Sequence, residues 1–298
     1  MSVIVEVLRV VAPVFVLGFA GWAWVRAGED FPLRFVTRLC FTVAVPCLIF
    51  VALARAELDR GALASLALAT LGGYAAAGLA LAALLRAAGL SQRAFLAPLT
   101  FGNTGNVGLP VALFAWGEQG LALAVVVFAV MACLSFTVGV WLVSGGGSPR
   151  EALRQPIFYA AAGGLAAAGF GVAPPGWVMD SLALAGQMAI PLMLFTLGVA
   201  MARLTPAGAG RAALLSGARL VVCAAAALGA ARLAGLPELA SQVLLMQLTM
   251  PVAVTSYLMA ERYDARPVEV AGLVVVSTAI AVLAIPAMLA VLLGAGAP

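Results

Sequence analysis

TFGNTGNVGLP, residues Thr100 to Pro110, lies inside an otherwise apolar run of membrane length, Phe95 to Trp116. Three glycines, two asparagines and a proline within eleven residues are not expected to sustain a regular helix, because glycine loosens the backbone and proline removes a donor. Lipid tolerates such open backbone only where protein or a water-filled cavity supplies hydrogen-bond partners. The break is therefore expected to line a site. A second interrupted run extends from Leu239 to Ala260, with Thr249-Met250-Pro251 at its centre. Two Pro-interrupted spans in corresponding halves of a chain point to the substrate site of a secondary transporter.

Working outward, the composition places the chain in a bilayer. It is 64% apolar and 9% charged over 298 residues, with a mean hydropathy of +1.14, more apolar surface than a soluble core of that size can hide. Runs of about 20 residues with few charges predict ten spans. The first five are Val10 to Val25, Phe35 to Leu53, Ala62 to Leu85, Phe95 to Trp116 and Leu121 to Val143. The second five are Ile157 to Val172, Trp177 to Met201, Ala213 to Leu233, Leu239 to Ala260 and Val268 to Leu293. Connections are short, the longest being Ser144 to Pro156, so no soluble domain is expected. The first span is kept as a helix rather than a cleaved leader, because Glu6 stands where a basic start is expected and no small-x-small site follows before Arg26. Cys40, Cys47, Cys133 and Cys223 all fall inside apolar spans and read as small apolar side chains, not disulfides.

All sixteen basic residues are arginine, and their placement predicts orientation. With ten spans, one side of the membrane holds Arg26, Arg34, Arg86, Arg93, Arg150, Arg154, Arg203, Arg211, Arg262 and Arg266. The side of the termini holds Arg9, Arg55, Arg60 and Arg232. Such an excess in short loops marks the cytoplasmic side and puts both termini outside the cytoplasm in a multi-pass membrane protein. Arg38 and Arg219 lie within spans. Arg219 is eight residues beyond Arg211, roughly 12 Å deeper along a helix, and is expected to snorkel to the cytoplasmic headgroups; the other reading is attraction of an anion to an inner vestibule. Arg38 is expected to be a simple anchor. Gly72-Gly73 with Gly78, and Gly163-Gly164 with Gly169, predict close helix packing.

The two halves resemble each other. Ala44-Val45-Pro46-Cys47-Leu48-Ile49-Phe50 matches Ala189-Ile190-Pro191-Leu192-Met193-Leu194-Phe195 at an offset of 145 residues, and Pro110 and Pro251 are 141 apart. A repeat of five spans, an odd number, puts the second copy into the bilayer upside down. The predicted fold is all-α and integral to the membrane: ten transmembrane helices as two inverted five-helix repeats, residues 1–150 and 151–298. Helices four and nine are broken and cross at the midplane.

At each break the proline is expected to be the first helical residue of a half-helix, where its missing N–H costs nothing. The two half-helix N-termini then face the midplane from opposite sides, each worth roughly half a positive elementary charge. Free amides and dipole make an anion site without a fixed cation. Asn103, Thr104 and Asn106 at one break, and Thr249, Thr255 and Ser256 at the other, are neutral donors and acceptors around it. The plainer reading has Asn103 and Asn106 only capping helix ends. Gly102, Gly105 and Gly108 then have no role, whereas a site explains them through close backbone approach and unusual φ.

Asn103-Thr104-Gly105-Asn106-Val107-Gly108-Leu109-Pro110 resembles the signature of the auxin efflux carrier family, which includes the plant PIN-FORMED carriers and bacterial transporters of organic acids. The similarity continues through Met250-Pro251-Val252-Ala253-Val254-Thr255-Ser256-Tyr257 and Ala189-Ile190-Pro191, and covers nearly the whole chain. It implies the fold shared with bile-acid symporters and sodium/proton antiporters. There helices 1, 2, 6 and 7 form a scaffold, and helices 3–5 and 8–10 a transport unit intertwined with it. The resemblance puts Asn103 and Asn106 against a substrate carboxylate, and extends the substrate-binding set to Thr104, Gly105, Pro110, Met250, Pro251, Thr255 and Ser256. The long cytoplasmic loop of the plant carriers is reduced here to Ser144 to Pro156.

The expected function is a secondary carrier of small organic anions. The alternatives are an anion-selective channel, which needs a continuous polar lining, and a non-transporting membrane sensor. An enzyme is not expected, since there is no histidine, no metal-spaced cysteine pair and no serine beside a base. No acidic residue or histidine sits deep in a span, Asp180 and Glu269 coming nearest, so a buried proton relay is disfavoured. No cofactor is expected, apart from sodium as a candidate coupling ion at the oxygens of Asn103, Thr249 or Thr255. Uniport is equally compatible. Substrate identity, direction and coupling are left open by the sequence. The other partners expected are lipid and, compatibly, a second copy of the chain in a homodimer; nucleic acid is not.

Overall fold

The computed structural model describes residues 3–55, 60–146, 156–170, 174–205 and 207–295. Most of the Ser144 to Pro156 connection, the far end of the sixth predicted span and the Gly169 packing position lie outside the residues or side chains described. The described chain is helical throughout. In the first half run α1 (Val3–Arg26), α2 (Leu33–Leu39), α3 (Val45–Ala54), α4 (Arg60–Ala87), α5 (Gln92–Thr100), α6 (Leu109–Leu134) and α7 (Val140–Ser144). In the second run α8 (Pro156–Phe170), α9 (Gly176–Gln187), α10 (Ala189–Arg203), α11 (Ala209–Leu233), α12 (Glu238–Thr249), α13 (Val254–Arg262) and α14 (Pro267–Ala295). Seven continuous helical stretches are long and apolar enough to cross a membrane, as expected of an integral membrane protein.

One of these stretches, Thr104–Ser144, has 41 residues, about 62 Å if straight and twice the thickness of the hydrocarbon core. It is not straight. Gly117 takes φ +63° and ψ −156°, open to glycine without cost. A Cβ on Gly120 would lie 2.8 Å from the carbonyl oxygen of Ala112, which in a continuous helix is two turns away. The chain therefore doubles back at Gly117.

Packing sorts the helices into two sets. α1 lies along α10, and α3 along α8 and α9. The α1–α10 contact is nearly backbone to backbone, since a Cβ on Gly21 would run into Phe195 and one on Gly198 into Gly18. These glycines escaped the sequence reading. Of those predicted to pack, Gly73 meets Leu248 and Gly164 meets Phe50, whereas Gly72 faces open space. In the other set α11 is wrapped by α4, α12 and α14, and α5 packs on α4 and α7. The cysteines are all free.

Three π turns interrupt the helices, at Cys40–Ala44, Thr104–Gly108 and Ser135–Gly139. π turns widen a helix locally and concentrate at functional sites. Here all three face one small region.

Candidate functional site

The two broken segments meet. Gly102 and Val252 form an isolated antiparallel bridge, and the Asn103 N–H donates to the Pro251 carbonyl at 2.7 Å. α5 ends at Thr100 and α12 at Thr249, and the residues after each run extended through the crossing: Phe101 has φ −96°, ψ 111° and Met250 φ −53°, ψ 147°. Pro251 imposes the extended shape on Met250. Neither proline opens a helix as expected. The half-helix after the first break begins at Thr104, with Asn103 as N-cap, and Pro110 sits a turn and a half inside it. The half-helix after the second begins at Val254, so Pro251 belongs to the crossing itself. A proline clashes with the carbonyl four residues earlier, and the π turn directly before Pro110 is the widened stretch that accommodates it.

The glycines act through space, not through φ: Gly102, Gly105 and Gly108 all have negative φ. A Cβ on Gly102 would lie 2.8 Å from the Met250 oxygen and 2.5 Å from the Arg219 guanidinium. One on Gly105 would press the Phe128 ring at 3.0 Å, and one on Gly108 would collide with the Gln247 carboxamide.

Buried backbone groups need partners, and the crossing finds them locally and from neighbouring helices. The Asn103 side chain accepts from Asn106 N–H at 3.3 Å, and the Asn103 carbonyl accepts from Val107 and Gly108. Val252 N–H donates to Ser277 Oγ of α14 at 3.0 Å. Arg219 donates to the Leu248 carbonyl at 3.2 Å and the Thr249 carbonyl at 3.4 Å. It is 2% exposed, so it does not snorkel. It shares the buried face Ala212, Leu215, Ser216, Cys223, Ala227 of α11, which turns toward protein instead of lipid.

A cavity of about 40 Å³ lies against the crossing, lined by Gly102, Asn103, Gly105, Asn106, Ser135 and Ala253 to Ser256, and closed by aromatic rings including Phe41 and Phe136. A second, of about 20 Å³, touches Asn106, Thr196 and Thr255. Both share Phe41 and Thr255 with a wider cavity of about 330 Å³ that opens at Arg34 and Arg38. Arg38 thus stands at the mouth of a cavity, a role beyond the anchor expected of it. On the opposite side of the protein, a cavity of about 920 Å³ is lined by Arg55, Glu118, Gln119, Gln187 and Pro191.

The family model described as membrane transport protein matches residues 6–152 and again residues 141–289. The chain belongs to this family, that of the auxin efflux carriers. It is therefore a multi-pass membrane transporter, and its family consists of transporters, not enzymes. No curated protein matches it.

In this transporter the residues predicted for the site separate into two groups. Asn103, Gly105, Asn106, Thr255 and Ser256 share the crossing cavity. Thr104, Met250 and Pro251 are buried at the crossing without lining the cavity, and Pro110 is buried farther along its half-helix. The three oxygens proposed for an ion are not brought together. The Thr249 hydroxyl donates back to Leu245 and Met246 of its own helix and faces Met288, while its carbonyl is taken by Arg219.

Gln247, Ser277 and Ser135 were missed. Gln247 is fully buried with both amide atoms unpartnered among the described residues, and a carboxamide deep in an apolar span is a signal the sequence does carry. Ser277 and Ser135 carry none, because a hydroxyl in a helix usually bonds back to its own turn, as Ser277 also does to Val274.

Proposed function

We propose that this transporter carries small organic anions, carboxylates foremost, by alternating access, and binds them at the crossing. One observation carries the reading: Gly105-Asn106 and Ala253 to Ser256, which open or flank the two half-helix starts, line a single cavity with no acidic side chain on its walls. First-turn amides have no helical acceptor, and each N-terminus contributes roughly half a positive charge. The Asn103 Nδ2 adds a buried donor without a protein partner. This donor-rich, acid-free lining suits a carboxylate.

The same reading takes the fold as ten spans in two inverted five-helix repeats. The hairpin at Gly117 supports it by dividing the longest helical stretch into a fourth and a fifth span. So does the offset of 145 residues between Tyr74 and Arg219, which repeats that of the heptapeptides and again relates two residues beside the crossing. The α1, α3, α8, α9 and α10 set is the scaffold, and the set around α4 and α11 moves against it. By the arginine distribution the Arg34–Arg38 cavity faces the cytoplasm, where two cations focus anions toward the crossing, and the Arg55 cavity faces outside. A membrane potential negative inside favours export, by about 2.3 kcal/mol per charge per 100 mV.

A carrier is favoured over a channel because only about 40 Å³, room for one or two waters, lies open at the crossing between far larger cavities. Phe41 and Phe136, both on π turns and both lining the crossing cavity and its cytoplasmic neighbour, are its inner gate. The test is flux in proteoliposomes. Saturation with counterflow of labelled carboxylate is expected; linear, fast conductance identifies a channel, and binding without flux a sensor. Asn103→Ala and Asn106→Ala are each expected to lose substrate binding while staying folded, and wild-type affinity in both removes the site.

A further inference from the structure

Among the described residues Arg219 is the single charged side chain that is buried. No carboxylate accompanies it. Its guanidinium is held by the last carbonyls of α12, Leu248 and Thr249, with Nε unpartnered, and it lies directly behind the Gly102 peptide whose other face lines the crossing cavity. The carbonyl end of a half-helix carries roughly half a negative charge and unsatisfied oxygens, the environment in which a hard cation is bound. Here that place is filled. A buried charge without a full partner is costly, and helix carbonyls supply only part of the compensation. A negative group in the cavity across Gly102 supplies the rest.

We infer that Arg219 is a resident cation: it occupies the carbonyl end of the broken helix where an exchangeable sodium ion would otherwise sit, and it serves as fixed counter-charge to the bound anion. The inference rests on the anion reading above and extends it to coupling. Arg219 does not touch the substrate; it acts as a positioning and electrostatic residue through the Gly102 peptide. A tethered charge returns with the protein after each cycle, so the net charge moved is the substrate's own. Transport is then sodium-independent and driven by the potential. The corresponding place in the first half is neutral: Tyr74, 145 residues earlier, packs its ring on Phe101 with centroids 5.8 Å apart, so among the described residues one fixed charge backs the crossing.

The experiment uses the full-length protein, purified and in proteoliposomes, with acetate, lactate, malonate and succinate as probes, each in sodium chloride and in choline chloride. Wild type is expected to give the same carboxylate-induced thermal shift and counterflow in both salts. Arg219→Ala is expected to lose affinity by more than about tenfold, with partial recovery in added guanidinium chloride, and Arg219→Lys to retain most of it. A wild type whose carboxylate response requires sodium overturns the resident cation and leaves the anion site standing. So does a folded Arg219→Ala or Arg219→Gln that binds as wild type does. If the alanine variant fails to fold, the wild-type salt comparison and Arg219→Lys still decide. No response of wild type to any carboxylate removes the anion reading itself, and this inference with it.

Discussion

At the first break Asn103 caps its own half-helix, and its carbonyl accepts from two amides of the π turn that follows. At the second, Arg219 reaches in from α11 to hold the carbonyls ending α12, and Ser277 reaches in from α14 to take the Val252 amide. Both breaks face the same problem, open backbone where water is scarce. Apart from the Asn103 N–H, which donates to Pro251, the first is solved by residues inside the break, and the second by side chains far away in sequence. The two solutions differ in charge as well. The first half leaves a neutral, donor-rich turn; the second leaves a buried guanidinium behind the bridge.

The bridge itself breaks the comparison most severely if misread. Gly102→Val is expected to cause the largest loss of folded protein, since its side chain meets the Met250 carbonyl and the Arg219 guanidinium; overpacking typically costs about 1–3 kcal/mol and more where backbone must move. Across the bridge, Val252→Ala only opens space, at about 1–3 kcal/mol, and remains folded. Yield of monodisperse protein and its thermal stability measure both. Equal tolerance on the two sides contradicts the crossing geometry.

Asn103 separates structure from binding. Aspartate caps a helix as well as asparagine does and suits the helix dipole, which offsets part of the cost of burying its charge, so Asn103→Asp is expected to stay folded while losing carboxylate binding at neutral pH. Asn103→Ala is expected to lose binding as well and to stay folded, with the loss of about 1 kcal/mol of stability for the cap. Undiminished carboxylate affinity in the aspartate variant excludes Asn103 from the anion site. At the second break Ser277→Ala leaves a buried N–H unsatisfied, an expected loss of about 1–3 kcal/mol read in thermal unfolding. An unchanged stability means that the Val252 amide has another acceptor, and the second break then depends less on α14 than its geometry indicates.

The contrast explains what was legible beforehand. The first break announced itself because the residues that cap its half-helix lie between Gly102 and Gly108. The second showed its proline and the hydroxyls Thr249, Thr255 and Ser256, but not the side chains that satisfy its backbone, which stand about 30 residues before it and 25 after it in sequence. Arg219 was visible but misjudged: depth along a helix says how far a side chain must reach, not which face it leaves from. The spacing of Ala212, Leu215, Ser216, Cys223 and Ala227 around it held that answer. Pro110 was assigned the wrong register because its half-helix already starts at Thr104, in a π turn that hydropathy does not reveal, and Pro251 because the chain stays extended as far as Ala253. The reversal at Gly117 was legible, because it falls between the apolar run that ends at Trp116 and the one that begins at Leu121.

Thr249→Val carries the smallest expected effect and sharpens the comparison most. Its hydroxyl bonds to carbonyls of its own helix, Leu245 at 2.7 Å and Met246 at 3.0 Å. Those carbonyls also serve the helical ladder, and back-bonding of this kind adds little to helix stability. The main-chain oxygen that Arg219 uses survives the substitution. The change is expected to cost no more than about 1 kcal/mol and to leave carboxylate counterflow unchanged in sodium and in choline. Thr255→Val, by contrast, removes a hydroxyl from the residue that lines all three connected cavities and is expected to weaken binding. If Thr249→Val instead abolishes transport, or does so only in sodium, the threonine oxygen is a cation ligand after all, and the asymmetry between a self-sufficient break and an arginine-served one is lost.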